Sequence, residues 1–306
     1  MEQGLNSLGR QDLEALQRDG VLKKEKFFPS RTIGQIADTA IRLRAHGLTH
    51  RSPARKWIIV SPLNTLPRIL SPGTRADVRL LSEVALACGF RRFASLYLDE
   101  PVMLSHVMSM EHPVSTTPIT PWHVDANPRE MMPPNYFTLK FFIYLNDVDS
   151  NNGAFAYLRG SHRLVLAIRE GIHSRSIPYC KTYGIEDLKA ACGDPVVRNQ
   201  ILNRLSQQDI DDFFAATEPI ARTGDTDVYD LTGAAGTLVV FDDRGLHRGG
   251  IPRTAPRSVL RYNYICTRYW GEHLSWPRYT LNMAARALLP GTVAAHWSSL
   301  ELTHHA

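Results

Sequence analysis

Apolar residues recur at helical spacing through roughly the first ninety positions and then change to short runs. Ser7 can cap a helix that runs to about Asp19, with Gly20 as its stop. After Phe27-Phe28-Pro29, Ser30 can cap a second helix that places Ile33, Ile36, Ala37, Ala40 and Ile41 on one face and ends at Gly47. Trp57–Val60 reads as a short strand. From about Arg75 to Cys88, Val78, Leu81, Ala85 and Leu86 predict a third amphipathic helix.

From about Arg92 the pattern predicts strands. Apolar runs fall at Val102–Met110, Thr138–Leu145, Ala154–Leu158, Leu238–Phe241 and Val259–Ile265, separated by Gly, Pro, Asn and Asp. No helical pattern lies between the second and third runs, which argues against a parallel sheet with helical crossovers. It points instead to an antiparallel barrel or double-sheet jelly roll. Between about Leu164 and Arg222 the helical period returns. Val197, Ile201, Leu202 and Leu205 suit one helix, and Ser206-Gln207-Gln208-Asp209 is a capping box that opens another through Phe214. The expected organisation is one mainly β domain with flanking helices across 1–306. Residues 1–91 form a helical support and 92–163 with 223–270 the β core. Residues 164–222 form a helical insertion that can serve as a lid, and 271–306 close the chain.

Composition narrows the class. The chain is 43% apolar and 21% charged, which excludes disorder and fibrous repeats. No run approaches the length of a membrane span, and the polar N-terminus does not resemble a secretory signal. The net charge of +5 is not concentrated in a basic stripe, so neither nucleic acid nor a membrane is an expected partner. The four cysteines lack CxxC spacing and read as reduced thiols. A cytoplasmic protein acting on a small molecule is the expectation, with its oligomeric state open.

The chemistry concentrates in Trp122-His123-Val124-Asp125. In a strand, positions i and i+2 share a face, so the imidazole of His123 and the carboxylate of Asp125 can occupy adjacent sites on one metal. A His-x-Asp tripeptide alone is a weak signal, and a lone strand-end His is more often structural. Context comes from Phe241-Asp242-Asp243-Arg244-Gly245-Leu246-His247, where His247 follows an apolar strand in a glycine-bounded turn. Two His and one carboxylate on one face make the facial triad of non-haem Fe(II) oxygenases, with positions left for ligands. Arg257 opens the next alternating strand, where a guanidinium can grip a carboxylate bidentately. Such a metal beside such an Arg is what a 2-oxo dicarboxylic acid cosubstrate requires.

With these residues in hand, the chain resembles the phytanoyl-CoA dioxygenase-like family of Fe(II)/2-oxoglutarate-dependent oxygenases. Trp122–Asp125 carries the resemblance, with Asn152-Gly153, then Arg159-Gly160-Ser161-His162-Arg163, then Gly236–Phe241 leading to His247 and Arg257, and Arg18–Leu22 at the opening. The resemblance implies a double-stranded β-helix core. It implies Fe(II) held by His123, Asp125 and His247, with 2-oxoglutarate as cosubstrate meeting Arg257 and O2 as oxidant. The reaction so implied is oxidation of an unactivated C–H bond by hydroxylation, desaturation or cyclisation, in specialised metabolism. A carboxylate at 125 argues against halogenation.

The family's motif carries Pro where this chain has Arg159, and the interval from His247 leaves Arg253 and Arg261 as alternatives to Arg257. His162 reads as structural. Lys140, with Thr138 and Phe142 on its face, either helps neutralise 2-oxoglutarate or is a snorkelling surface Lys. His106 and His112 can line the pocket or be ordinary strand residues. Met103, Met108 and Met110 read as core or pocket wall. Two other functions remain open from sequence: a cupin-like metalloenzyme that does not use 2-oxoglutarate, and a non-catalytic ligand-binding barrel. The substrate is expected to be a small specialised metabolite, with a thioester carrier possible.

Overall fold

A computed structural model of the chain describes residues 6–45, 48–50, 55–60, 72–124, 138–173, 184–223 and 229–267. Four helices precede the barrel: α1 (Arg10–Asp19), α2 (Ser30–Arg44), α3 (Pro72–Ala87) and α4 (Phe90–Leu98). Among them lie β1 (Val21–Lys24), β2 (Leu48–His50) and β3 (Arg55–Val60). The next strands are β4 (Val102–His112), β5 (Thr120–His123), β6 (Thr138–Tyr144) and β7 (Phe155–Tyr157). Four more helices follow: α5 (Ser161–His173), α6 (Ile185–Gly193), α7 (Pro195–Leu202) and α8 (Gln207–Thr223). The chain returns through β8 (Asp230–Leu231), β9 (Leu238–Asp242), β10 (His247–Gly249) and β11 (Arg257–Cys266).

The strands form a seven-stranded sheet, β1-β9-β6-β11-β4-β3-β2, and a four-stranded sheet, β5-β10-β7-β8, with every pairing antiparallel. This is the double-stranded β-helix arrangement expected, with helices at its flanks. Alternation assigns side chains to two cores. Leu139, Phe141 and Ile143 of β6, with Leu260, Tyr262 and Tyr264 of β11, pack outward against α1–α4. Phe142, Tyr144, Phe241 and Val259 point inward, where they meet Phe155 and Tyr157 of the small sheet. Both faces of the large sheet are therefore buried, which is why its strands are near-continuous apolar runs. A third cluster packs Leu164, Ile168, Leu188, Ile201 and Phe213 of the insertion helices beside Leu158 and Leu246.

Several boundaries differ from expectation. The strand region was expected from about Arg92, but Phe90–Leu98 is helical because Phe90, Phe93 and Ala94 form one buried face. α1 starts at Arg10, where the Asp12 carboxylate accepts the Gly9 N–H, rather than at a Ser7 cap. The capping box at Ser206 is present: Asp209 N donates to Ser206 Oγ and Ser206 N donates back to the Asp209 carboxylate. Its helix runs past Phe214 to Thr223. Cys88, Cys192 and Cys266 are buried free thiols, and burial pushes the Cys88 thiol up to about 12. Among the described residues no helix is long and apolar enough to cross a membrane.

Candidate active site

His123 ends β5 and His247 begins β10, and the two residues face each other in the antiparallel register. Their ring centroids lie 4.5 Å apart. Each ring is oriented by its own backbone: His123 Nδ1 donates to Pro121 O at 2.7 Å and His247 Nδ1 to Gly245 O at 2.8 Å. A carbonyl can only accept, so Nδ1 of each ring carries a proton, which leaves Nε2 as the nitrogen that can offer a lone pair to a metal. That tautomer, fixed by a carbonyl on the far nitrogen, is the one metal-binding imidazoles use. Sequence placed His247 in a turn. It instead starts a three-residue strand paired on both sides, with His123 and with Tyr157.

The turn behind His247 is heavily constrained. Asp242 is fully buried and receives Arg244 Nε at 3.0 Å and Tyr97 Oη at 2.8 Å. Burial raises the Asp242 pKa, but the Arg244 charge and its hydrogen bonds outweigh this and hold the carboxyl below its usual range. Tyr157 Oη donates to Asp242 O at 3.0 Å, and a Cβ on Gly245 would lie 1.7 Å from that hydroxyl. Only glycine fits there. Gly20, in the left-handed conformation at the end of α1, accepts the Asp242 N–H at 2.9 Å. The Arg159–Arg163 motif closes the same region: Ser161 Oγ accepts the Leu246 N–H, and His162 Nε2 donates to Gln17 O. His162 is structural.

Both imidazoles line a cavity of about 70 Å³ between the sheets, walled by Phe142, Phe155 and Phe241. Lys56, His112, Arg257 and Arg261 also line it. Arg257 is 2% exposed; its Nη1 donates to Gly153 O, while Nε is buried without a partner among the described residues. Burial lowers its pKa to about 10, with Tyr144 and Asp230 opposing the shift, so it stays a cation at neutral pH. Arg253 instead lines a separate surface hollow with Val114, Ser115, Thr116 and Ile251. Arg261 shares the inner face with Arg257 because four residues separate them on one strand.

A family model for phytanoyl-CoA dioxygenase (PhyH) matches residues 16–258, well over half of the chain. The chain belongs to this family of Fe(II)/2-oxoglutarate-dependent oxygenases. No curated protein matches the sequence. Among solved structures, this PhyH-family chain is similar to HygX from Streptomyces hygroscopicus, solved with nickel and 2-oxoglutarate bound. That likeness is at 14% identity with a TM-score of 0.51, covering 85% of this chain and 88% of HygX. It is also similar to EctD from S. alaskensis with bound Fe, at 17% identity and a TM-score of 0.50, covering 86% and 78%. A third, the epimerase SnoN in complex with Fe3+, alpha ketoglutarate and nogalamycin RO, aligns at 15% identity and a TM-score of 0.49 over 84% and 82%. At these identities the likeness to HygX and EctD shows the fold alone.

Of the remaining expected site residues in this PhyH-family chain, Asp125 lies outside the described residues. Among the described residues no third His, Cys, Asp or Glu joins the imidazole pair. Lys140 and Thr138 have a different partner from the expected cosubstrate. Lys140 is 5% exposed, so it is no surface Lys; its Nζ lies 3.6 Å from the Asp243 carboxylate, which also accepts the Thr138 N–H and hydroxyl. Neither is among the residues lining the cavity. His106 sits 3.4 Å from Arg261 Nη2. His112 and Met110 do line the cavity, as weighed, whereas Met103 packs in the outer core. Sequence reasoning missed Lys56, for which no local signal exists, and the Tyr97–Asp242–Arg244 cluster, whose Asp-Asp-Arg run just before Gly245 was visible.

Proposed function

We propose that His123, His247 and Asp125 hold Fe(II), that Arg257 pairs with the distal carboxylate of 2-oxoglutarate, and that the protein oxidises an unactivated C–H bond of a small molecule. One observation supports this most: two oriented imidazoles and a buried guanidinium line the same small cavity. The residues fit such a group. The Nε2 lone pairs are the ligating atoms, and among the described residues Arg257 has no carboxylate partner, the state expected of a cation that waits for an anionic ligand. A buried guanidinium speaks against a metalloenzyme of this fold that works without a dicarboxylic cosubstrate.

When bound, Fe(II) with 2-oxoglutarate and O2 supplies the oxidising power, with 2-oxoglutarate leaving as CO2 and succinate. The chain's own residues bind, orient and exclude water. The backbone carbonyls of Pro121 and Gly245 hold the imidazoles in the ligating tautomer. Phe142, Phe155 and Phe241 form an apolar wall that keeps the reacting region dry. Arg257 sets the depth at which a dicarboxylic acid seats. The test is succinate formation from 2-oxoglutarate under Fe(II) and O2 across a panel of small-molecule substrates, with 2-oxoglutarate binding measured anaerobically beside it. Succinate above background is the expected result. Failure of the Fe(II)-loaded protein to bind 2-oxoglutarate at all would overturn the reading.

A further inference from the structure

His112 is the last residue of β4 and lies directly across the ladder from Arg257. It is 2% exposed, lines the cavity, and among the described residues neither ring nitrogen has a hydrogen-bond partner. A buried polar group left without a partner loses its hydration and gains nothing in return, so such a group in a folded protein calls for a reason. Arg257 Nε is equally unpartnered, and the two neighbours do not bond to each other. Both residues line the same cavity as the imidazole pair.

We propose that His112 is a second cosubstrate-binding residue, donating a hydrogen bond to the same distal carboxylate that Arg257 pairs with, so that it helps select a dicarboxylic over a monocarboxylic 2-oxo acid. The chemistry favours a neutral donor at this position. Lys56, Arg257 and Arg261 already surround the ring, and with burial they keep a proton off it, so the cavity holds an imidazole with one N–H and one lone pair. A further cation there would be repelled, whereas a neutral N–H adds a bond to the carboxylate without adding charge. Geometry agrees. Residues directly opposite in an antiparallel pair have Cβ atoms about 4.5–5.5 Å apart, close enough for two side chains to grip the two oxygens of one carboxylate.

This inference rests on the cosubstrate reading above, and the experiment separates the two. Dissociation constants of 2-oxoglutarate and of 2-oxopentanoate, which keeps the 2-oxo acid and lacks the distal carboxylate, are measured on the anaerobic Fe(II)-loaded wild type and on His112→Phe. The wild type failing to bind 2-oxoglutarate sinks the cosubstrate reading. With wild-type binding intact, His112→Phe is expected to weaken 2-oxoglutarate by about tenfold or more, the loss of one hydrogen bond to a charged group, with little change for 2-oxopentanoate. Equal losses on both acids, or none on either, overturn the role of His112 alone. Should His112→Phe fail to fold, the Zn(II)-loaded wild type answers by imidazole nitrogen NMR. A change in the His112 ring resonances with 2-oxoglutarate but not 2-oxopentanoate supports the proposal, and the same response to both overturns it.

Discussion

The two groups of polar residues in this cavity are built on opposite principles. His123 and His247 sit on short strands between turns, and each ring is satisfied by a carbonyl two residues back, so the pair is ordered before any ligand arrives. Arg257 and His112 sit on the two longest strands of the large sheet and are buried, with Arg257 Nε and both His112 ring nitrogens unpartnered among the described residues. One side is paid for in backbone geometry; the other is electrostatically incomplete. The difference teaches which substitutions damage the fold and which damage only binding. Around the imidazoles, function and stability are coupled through the turn. Around Arg257 the proposed cosubstrate role sets them in opposition, because a buried cation with no carboxylate partner among the described residues costs stability.

The sharpest break of that comparison comes at the imidazoles. His123→Ala or His247→Ala is expected to lower Fe(II) or Ni(II) affinity by well over 100-fold, since even altering a partner of a ligand costs 10–100-fold. Metal titration by equilibrium dialysis checks this, and unchanged affinity in either variant would remove that residue from the site.

Next in size is the turn that carries His247. Asp242→Asn keeps the shape and removes the charge that Arg244 and Tyr97 are arranged around. Breaking a buried pair by removing one partner costs about 3–5 kcal/mol, to be read as a lower urea midpoint. Metal affinity should fall as well, because the Asp242 carbonyl holds Gly245 N and Tyr157 Oη, and the Gly245 carbonyl orients His247. A stability loss with metal affinity intact would show that the turn and the ring are uncoupled.

Arg257 should behave in the opposite way. Arg257→Met is expected to raise the 2-oxoglutarate requirement by about 30–100-fold, equivalent to the ~2–3 kcal/mol of a charge-assisted pair, while stability holds or rises. Arg257→Lys should recover only part of the affinity, since a point charge cannot reproduce the planar fork. A marked loss of stability in Arg257→Met would mean that the guanidinium serves the fold, and an unchanged requirement would transfer its role to Arg261.

How far the sequence foretold this follows the same division. Strand parity put His123 and Asp125 on one face of a strand and marked Arg257 as the start of an alternating strand, because both follow from a period of two. Elements made by long-range pairing were not legible. His247-Arg248-Gly249 has no alternation of its own and becomes a strand only between β5 and β7. Lys140 looked like a cosubstrate contact or a surface residue because Asp243, its partner, is brought beside it only by the β6–β9 register. The change to strand character was set at about Arg92, yet apolar positions 90, 93, 94 and 97 carry the helical period that the structure obeys.

The smallest expected effect is a slope, and it isolates the incomplete side of the cavity. Burial, then Arg257, Lys56 and Arg261, lowers the His112 pKa from 6.5 to about 2. The folded protein therefore keeps this ring neutral where the unfolded chain would protonate it. Stability should fall as pH drops below 6.5, by about 1.4 kcal/mol per pH unit for this one group. His162, also lowered chiefly by burial, adds a term of the same sign. Asp242, depressed by Arg244, loses its contribution only at lower pH, as it falls below the carboxylate range. The interval from pH 6 to 4.5 thus reports the buried histidines. In urea titrations over that interval, His112→Asn should flatten the decline in stability by close to one proton's worth, leaving the part owed to His162. If the slope of His112→Asn matches that of the wild type, the ring takes up its proton in the fold as readily as in the open chain, and the cation-rich surroundings do not hold it neutral.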